Sequence, residues 1–222
     1  MNRLAGGFSW GTPLPCFHEH LEESGSGKGD YFYQDLIVAQ RIFKINPARH
    51  VDVGSRIDGF VAHVASFRPI EVIDIRPLLC KIPNVRFIQQ NMMTPLCDHL
   101  VDYCDSLSCL HAIEHFGLGR YGDPLCIDGH LKGLQQLNKI LKPNGKFYIS
   151  VPIGPQRIEY NAHRVFSIKY LLDLFSEDYQ LDRFSYVDDK GELHEDASLS
   201  SPQIETNFGC WYGCGIFELT KQ

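Results

Sequence analysis

A glycine turn and an acidic residue occur at a spacing that suits a nucleotide. In the segment HVDVGSRIDGF, Asp52 lies within an apolar run and Gly54 follows it, and Asp74 lies near the end of the next apolar run, EVIDI. Glycine permits positive φ and close approach of a ligand. A carboxylate about 20 residues further on can accept both hydrogens of a ribose diol. The pattern indicates a nucleotide-binding turn, although an ordinary strand-turn-helix with a solvated aspartate fits it equally well.

The turn lacks the fingerprint of a dinucleotide site. A pyrophosphate requires G-x-G-x-x-G, because the backbone of the second glycine approaches the phosphates. Here the residues S-R-I-D separate Gly54 from Gly59. We therefore do not expect NAD or a related dinucleotide.

The segment HAIEH is the second place where residue types suggest chemistry. His111, Glu114 and His115 match H-x-x-E-H, an inverted zinc-peptidase motif that requires both histidines on one face of a continuous helix. A strand-like run precedes the segment, and Gly117 and Gly119 follow it closely, so we expect no such helix and no metal. His115 is instead our first candidate for a general base, since an ordinary histidine is largely neutral near pH 7. A histidine that only orders the loop is the alternative.

Polar residues that suit an acceptor molecule follow in two loops. Arg120 could clamp an anionic acceptor beside Tyr121, and Asp123 could orient the acceptor or act as a base. An Arg-Asp pair that merely stiffens the loop fits as well. His163 is a second catalytic candidate, and Arg164 a further substrate-binding one.

These side chains need a scaffold, and the pattern of apolar runs predicts one. Short runs rich in β-branched residues alternate with helical or loop segments, which is typical of βαβ units and a parallel sheet. The predicted strands are 50–53, 71–75, 85–89, 103–109, 146–151, 183–187 and 211–219, and helical periodicity covers 60–67, 129–141 and 167–175. The last two strands are separated only by a polar loop, 188–207, and should form an antiparallel hairpin. The prediction is a doubly wound, mostly parallel seven-stranded α/β sheet with a C-terminal antiparallel hairpin.

A helix precedes the sheet. Asp30 is a plausible N-cap, and Phe32, Leu36, Ala39 and Phe43 recur at helical spacing up to an Asn-Pro stop. These four residues predict one buried face. The segment before the helix is rich in Gly, Pro and Ser, which predicts a surface loop.

Length and composition limit the possible functions. The chain has 222 residues, enough for one domain (1–222), on which the loop and helix of 1–49 pack as an extension. The net charge of −6 and the lack of a basic block argue against binding of a nucleic-acid backbone.

Location and metal binding are also constrained by the sequence. No apolar run approaches the roughly 20 residues of a membrane span. The stretch 1–11 lacks the features of a signal peptide, so we expect a cytoplasmic protein. The eight cysteines are scattered without a C-x-x-C pair, so no zinc site is expected.

Five segments resemble the motifs of class I S-adenosylmethionine (SAM)-dependent methyltransferases in order and spacing. They are HVDVGS, VIDI, VRFIQQNMMTPL, SLSCLHAIEHFG and LKPNGKFYISVP, the last being the most specific. The resemblance implies a Rossmann-like sheet and SAM as the cofactor. It also implies that the cofactor-binding residues are Asp52, Gly54, Ser55, Arg56, Asp74, Ile75, Asn91 and Met92.

Three stretches narrow the resemblance to an uncharacterised subgroup, a domain of unknown function found in bacteria and nematodes. They are HVDVGSRIDGFVAHVASF, DSLSCLHAIEHFGLGRYGD and NAHRVF. The sequence departs from ordinary methyltransferases at Arg56 and Asp58, where relatives have glycines, and at Asn91, where an aspartate is usual. Arg56 could pair with the methionine carboxylate of SAM or fill its place.

Two hypotheses about function follow. The first is a SAM-dependent O- or N-methyltransferase for a small polar acceptor, such as a sugar- or nucleotide-linked compound. The second is a methyltransferase-shaped protein that no longer binds SAM and serves as a binding or assembly partner. A homo-oligomer is compatible with both.

Overall fold

A computed structural model describes residues 11–25 and 27–222. The predicted N-terminal loop therefore lies partly outside the described residues. In its described part, the only helical element before residue 30 is a single 3-10 turn at Glu19–Leu21.

In the part of the chain that the structure describes, ten strands form one large sheet and one small ribbon. The strands are β1 (His50–Val53), β2 (Ile70–Asp74), β3 (Val85–Gln89), β4 (Cys104–Leu110), β5 (Leu141–Ile153), β6 (Arg157–Glu159), β7 (His163–Val165), β8 (Tyr179–Val187), β9 (Leu193–His194) and β10 (Gly213–Lys221). The eight-stranded sheet has the order β3-β2-β1-β4-β5-β10-β8-β9, and β6 pairs with β7 separately. Strands β1 to β5 are parallel, and β10 runs antiparallel to both β5 and β8. The predicted doubly wound, mostly parallel sheet is confirmed, but among the described residues it has eight strands instead of seven, because the two-residue strand β9 pairs at its edge.

The C-terminal hairpin is confirmed in its pairing and corrected in its connection. Strands β8 and β10 pair antiparallel as predicted, but β10 lies between β5 and β8. The connection predicted as plain loop contains β9 and a short helix, Ser201–Thr206. These elements are too short for a periodic apolar pattern, and their positions depend on contacts with the rest of the fold, such as β9 with β8.

Helices cover both faces of the sheet. They are α1 (Asp30–Ile45), α2 (Ala62–Ala65), α3 (Gly129–Ile140), α4 (Ile168–Phe175) and α5 (Ser201–Thr206). Apolar side chains of α1 and α2 pack on one face of the sheet, and those of α3 and α4 pack on the other. Because both faces are covered, β1 is buried along its whole length. None of the helices in the described part of the chain has the length and apolarity needed to cross a bilayer.

The second predicted helix is shorter than expected and begins irregularly. A π-type turn at Ile57–Val61 leads into α2, which ends at Ala65. The predicted helix over 60–67 is thus reduced to one turn. Gly59 has non-helical dihedral angles, which interrupts the helix where it leaves the β1 turn.

Helix α1 was predicted with the wrong buried face. Asp30 is the first helical residue, and Gly29 is the N-cap. Of the four residues predicted to be buried only Ala39 is, while Phe32 and Phe43 are 45% and 64% exposed. The buried face is instead formed by Gln34, Asp35, Ile37, Val38, Ala39 and Ile42. It tolerates polar residues because they are paired: the Gln34 carbonyl accepts a hydrogen bond of 2.6 Å from Ser150 Oγ on β5.

Candidate functional site

The turn after β1 is stabilised by hydrogen bonds to a buried carboxylate. Asp52 is fully buried and accepts hydrogen bonds from Ser55 N (3.1 Å), Ser55 Oγ (2.6 Å) and Ser108 Oγ (2.5 Å). Burial raises the pKa of Asp52 to about 7, although these hydrogen bonds oppose the shift. Asp52 and Ser55, both predicted to touch the cofactor, do not line the cleft described next. They shape the turn beneath it.

Gly54 forms the floor of that cleft, and its backbone requires glycine. Its φ is +73°, and a Cβ added there would lie 2.8 Å from the Cβ of Ala112 on the neighbouring loop. Its amide donates to Ile73 O at 2.9 Å, which ties the turn to β2. Only glycine therefore fits this turn, because Ala112 occupies the place where a side chain would stand.

The cleft itself lies at the carboxyl ends of β1, β2, β3 and β4. The empty space in it, together with the open solvent at its mouth, is about 520 Å³. Of the predicted cofactor residues, Gly54, Asp74, Ile75, Asn91 and Met92 line it. Of the predicted catalytic and substrate residues, His115, Tyr121 and Asp123 line it.

Asp74 is already engaged by a neighbour that the sequence analysis did not single out. Arg76 donates from Nη2 to Oδ2 (2.8 Å) and from Nε to Oδ1 (3.1 Å), and its guanidinium lies 4.4 Å from the ring centroid of Tyr121. Arg76 lines the cleft. The signal for Arg76 in the sequence was its position directly after the VIDI motif. A ligand that uses the Asp74 oxygens must therefore compete with this guanidinium.

Arg56 lies outside the cleft. Its guanidinium pairs with Asp58 (Nη2 to Oδ2, 3.0 Å) and stacks over the ring of Tyr31 at 4.8 Å. About half of the Arg56 side chain is exposed. The bulky cation that stands in place of a glycine thus does not fill the cleft.

Asn91 turns the chain after β3. Its Oδ1 accepts a hydrogen bond of 2.8 Å from Met93 N, so the side-chain nitrogen is left as a donor. An aspartate at this position would offer only acceptors. The substitution therefore changes the hydrogen-bonding character of this wall of the cleft from acceptor to donor.

The HAIEH segment forms no continuous helix. Ile113–His115 is a single 3-10 turn, so the two histidines do not share a helix face. In residues 11–25 and 27–222, no group of three or more His, Cys, Asp or Glu side chains is arranged to hold a metal ion. His115 donates from Nδ1 to Ala162 O at 2.6 Å, and burial lowers its pKa to about 4. His115 is therefore a neutral imidazole at pH 7.

Glu114 and His111 are parts of the site that the sequence analysis left without a role. Glu114 is fully buried, which raises its pKa to about 8. Its Oε1 lies 3.4 Å from Nδ1 of His111 and 3.5 Å from Nε2 of His115. His111 lines the cleft, and burial lowers its pKa to about 3. The signal was the H-x-x-E-H motif itself, which we weighed only as a metal site.

Arg120 and Asp123 do not form the pair considered as an alternative. Asp123 accepts hydrogen bonds from Gly117 N (2.7 Å), Gly119 N (3.3 Å) and Tyr121 N (3.2 Å). These bonds fix the conformation of residues 117–123, the glycine loop. Arg120 donates to Ala162 O at 2.9 Å. The loop is thus ordered by two separate contacts, and Arg120 does not line the cleft.

His163 and Arg164, the site residues predicted after β5, lie outside the cleft. His163 Nε2 is 3.1 Å from Glu159 Oε2, and its ring centroid is 6.4 Å from that of His115. Arg164 is buried, and its guanidinium donates to the carbonyls of Glu114 (3.2 Å), Phe116 (2.7 Å) and Ile127 (3.0 Å). This geometry gives Arg164 the task of fixing the loop rather than the predicted contact with substrate.

Solved structures with the same fold are methyltransferases and a cyclase. A 1,6-didemethyltoxoflavin-N1-methyltransferase from Burkholderia thailandensis, with bound substrate and S-adenosylhomocysteine, has a TM-score of 0.59 and 16% identity and covers 85% of this chain and 78% of its own. The N-methyltransferase NodS from Bradyrhizobium japonicum WM9, with S-adenosylhomocysteine, gives 0.56 and 9%, covering 87% and 88%. The [4+2]-cyclase SpnF gives 0.61 and 13%, covering 89% and 85%.

The fold is that of the class I SAM-dependent methyltransferases. The sequence profile of one family matches residues 81–207, more than half of the chain. The chain belongs to this family, which is described as "Caenorhabditis protein of unknown function, DUF268". No protein with a curated description matches the chain.

Proposed function

We propose that this protein is a SAM-dependent O- or N-methyltransferase that acts on a small polar acceptor. The observation that carries the proposal is the cleft with Gly54 as its floor and Asp74 on its wall, at the carboxyl ends of β1 and β2. Ligands of doubly wound sheets bind at this edge. Arg56, the residue that could have blocked the cofactor, is held outside by Asp58 and Tyr31.

The residues that line the cleft fit the chemistry of SAM. Asp74 would accept the ribose hydroxyls, Ile75 and Met92 would flank the adenine, and the amide of Asn91 would donate to a ring nitrogen. The backbone at Gly54, which carries no side chain and lines the cleft, would let the methionine part approach closely. SAM supplies a methyl group on a positively charged sulfur, and the electron pair of the broken carbon–sulfur bond stays on that sulfur. Two of the similar structures contain S-adenosylhomocysteine, the demethylated product, which supports this assignment.

The chain's own contribution to methyl transfer would be alignment and exclusion of water. Methyl transfer is an in-line displacement, so holding the acceptor close to the methyl group accounts for much of the rate. His115 and Tyr121 line the side of the cleft next to the glycine loop, and Asp123 holds that loop in place. A small polar acceptor would suit these side chains. Arg120, which lies next to His115 but outside the cleft, adds a positive charge.

A location in the cytoplasm belongs to this proposal. All eight cysteines are free, and four of them (Cys104, Cys109, Cys210 and Cys214) are buried in apolar surroundings. A chain that uses its thiols as small apolar groups is suited to a reducing compartment.

Calorimetric titration with SAM and S-adenosylhomocysteine tests the proposal. We expect saturable binding of both compounds by the wild-type protein. Asp74→Asn should weaken binding by about tenfold or more, because a charged acceptor typically contributes 1.5–3 kcal/mol. Asp173→Asn, which alters an exposed carboxylate on α4, should leave the affinity unchanged.

Two outcomes would count against the proposal. Absence of binding at millimolar ligand would overturn it and favour the second hypothesis, a binding or assembly partner. An unchanged affinity of Asp74→Asn would show that the ribose assignment is wrong.

A further inference from the structure

Glu114 is a buried acid without a hydrogen-bonding partner. Neither of its carboxyl oxygens has a partner within residues 11–25 and 27–222, and the side chain is 1% exposed. A buried polar group in this state lowers the stability of the fold, because it has lost its hydrogen bonds to water. Two imidazoles flank its Oε1, at 3.4 Å for His111 Nδ1 and 3.5 Å for His115 Nε2. Distances slightly longer than a hydrogen bond are common at catalytic groups before a substrate binds.

The two imidazoles differ in what their second nitrogen does. The Nδ1 of His115 donates to Ala162 O, so both nitrogens of His115 are turned toward the protein. In His111, Nδ1 faces Glu114, whereas Nε2 is buried and has no hydrogen-bond partner among the described residues. His111 also lines the cleft. His111 is therefore the histidine with a nitrogen left over for a ligand.

The backbone holds His111 in an uncommon conformation. Its φ is +48°, in the left-handed region that non-glycine residues rarely occupy, and its amide donates to Ser150 O at 2.9 Å. Tyr31 of α1 packs against the ring, with 5.2 Å between centroids. Strained backbone of this kind is concentrated at functional sites. The residue that carries this backbone both contacts Glu114 through its ring and lines the cleft.

We propose, on the basis of the proposed function, that His111 and Glu114 form a catalytic dyad for acceptors that must lose a proton. His111 is the catalytic residue, and Glu114 is a positioning residue that acts through it. The N–H or O–H bond of the acceptor breaks, its proton goes to Nε2 of His111, and its electron pair stays on the acceptor atom to bond the methyl group. The Glu114 carboxylate accepts the Nδ1 hydrogen and balances the charge of the imidazolium. The acceptor class is thus an amine or a hydroxyl compound.

The dyad has two states that differ in where one imidazole proton lies. While Glu114 is protonated, its hydroxyl can donate to Nδ1 of His111, so the ring carries its own proton on Nε2. Once Glu114 ionises, Nδ1–H donates to the carboxylate and Nε2 becomes a bare base. The charged and titratable groups that act on this pair are Arg120, His115, His163, Tyr31, Tyr212, Cys109 and Cys214.

NMR of the histidine rings tests the dyad on the cofactor-free protein. With ¹⁵N-labelled histidine, long-range ring correlations identify the tautomer of each histidine over pH 5–10. We expect His111 of the wild type to change from the Nε2–H to the Nδ1–H tautomer near pH 8, where burial places the pKa of Glu114. Glu114→Gln should abolish the change. Glu159→Gln, which removes the carboxylate beside His163 instead, should leave it intact.

Several results would overturn the dyad. They are a single His111 tautomer throughout the range in the wild type, a change in the ring of His115 instead, or a change that persists in Glu114→Gln. The wild-type titration alone decides the matter if that variant does not fold.

Binding of S-adenosylhomocysteine separates this inference from the proposed function. His111→Gln and Glu114→Gln should bind it within about twofold of the wild type, because neither residue is assigned to the cofactor. A loss of tenfold or more in either variant would place the residue on the cofactor and overturn the dyad. Absence of binding by the wild type itself would contradict the proposed function, and the ring measurement made without cofactor does not depend on it.

Discussion

Both carboxylate oxygens of Asp74 are held by the guanidinium of Arg76, at 2.8 Å for Nη2–Oδ2 and 3.1 Å for Nε–Oδ1. The amide of Arg76 donates to Oδ1 as well, at 2.8 Å. These are the oxygens that the proposed function assigns to the ribose. Only a fraction of the Asp74 side chain is exposed, so the ribose and the guanidinium compete for the same acceptors.

Arg76→Gln should therefore strengthen the binding of S-adenosylhomocysteine. Half of the Arg76 side chain is exposed, and an exposed ion pair contributes about 0.2–1 kcal/mol, so the gain should be at most about fivefold. Calorimetric titration measures it. Arg86→Gln, which breaks an exposed pair with Glu71, is the matched control and should have no effect. Weaker binding by Arg76→Gln would mean that the guanidinium contacts the ligand instead of competing with it.

Arg56→Ala should change the affinity for SAM and S-adenosylhomocysteine by less than about threefold. The side chain is engaged by Asp58 and stacked on Tyr31 outside the cleft, so its removal takes away no contact with the proposed ligand. The same titration measures the effect. A loss of tenfold would show that Arg56 leaves Asp58 to pair with the methionine carboxylate.

Gly54→Ala should abolish cofactor binding. Gly122→Ala is the control that separates backbone strain from the steric contact of the new Cβ. Both glycines have positive φ, +73° and +80°, so alanine strains either backbone by about 1–2 kcal/mol. Only at Gly54 would the new Cβ also meet another atom, Ala112 Cβ at 2.8 Å, because nothing lies within 4 Å at Gly122. Denaturant unfolding should show destabilisation of both variants, and titration should show loss of binding only for Gly54→Ala. Equal loss in both would trace the effect to strain alone.

The central strands of the sheet were predictable because they are buried on both faces. Such strands read as continuous apolar runs, and the four residues of β1 are all buried. The face of α1 was not predictable from apolar spacing. Its buried side carries Gln34 and Asp35, whose burial depends on partners such as Ser150, 116 residues away. The assignment of 1–222 to a single domain and the oligomeric state stay predictions.

Part of the candidate site was predictable because its residues lie at the ends of strands that follow one another in the sequence. Gly54 and Asp74 stand at the ends of consecutive strands, and any doubly wound sheet brings such positions together. The roles of Glu114 and Arg164 were not accessible, because they depend on distant or irregular backbone. Arg164 meets carbonyls 37 to 50 residues away, and Glu114 meets His111 only because of a 3-10 turn and a positive φ.

Glu114→Gln should remove a pH dependence of stability that the wild type shows between about pH 5 and 8. The pKa of Glu114 is about 8 in the folded protein, against an ordinary value of 4.5. Between these values the folded state holds a proton that the unfolded state has released. The contribution of Glu114 to the free energy of unfolding therefore falls as the pH rises, by on the order of 1 kcal/mol per pH unit, and levels off above pH 8. Glutamine has no proton to lose, so the stability of Glu114→Gln relative to the wild type should increase across this window.

Urea unfolding of both proteins at pH 5, 6, 7, 8 and 9 measures this difference. Asp52, whose pKa is raised to about 7, titrates in both proteins and cancels in the comparison. Asp173→Asn serves as the control, because it removes an exposed carboxylate on α4. Its difference from the wild type should be flat from pH 5 to 9. A flat difference for Glu114→Gln as well would mean that Glu114 ionises normally in the folded protein, and the buried acid between two histidines would lose its energetic basis.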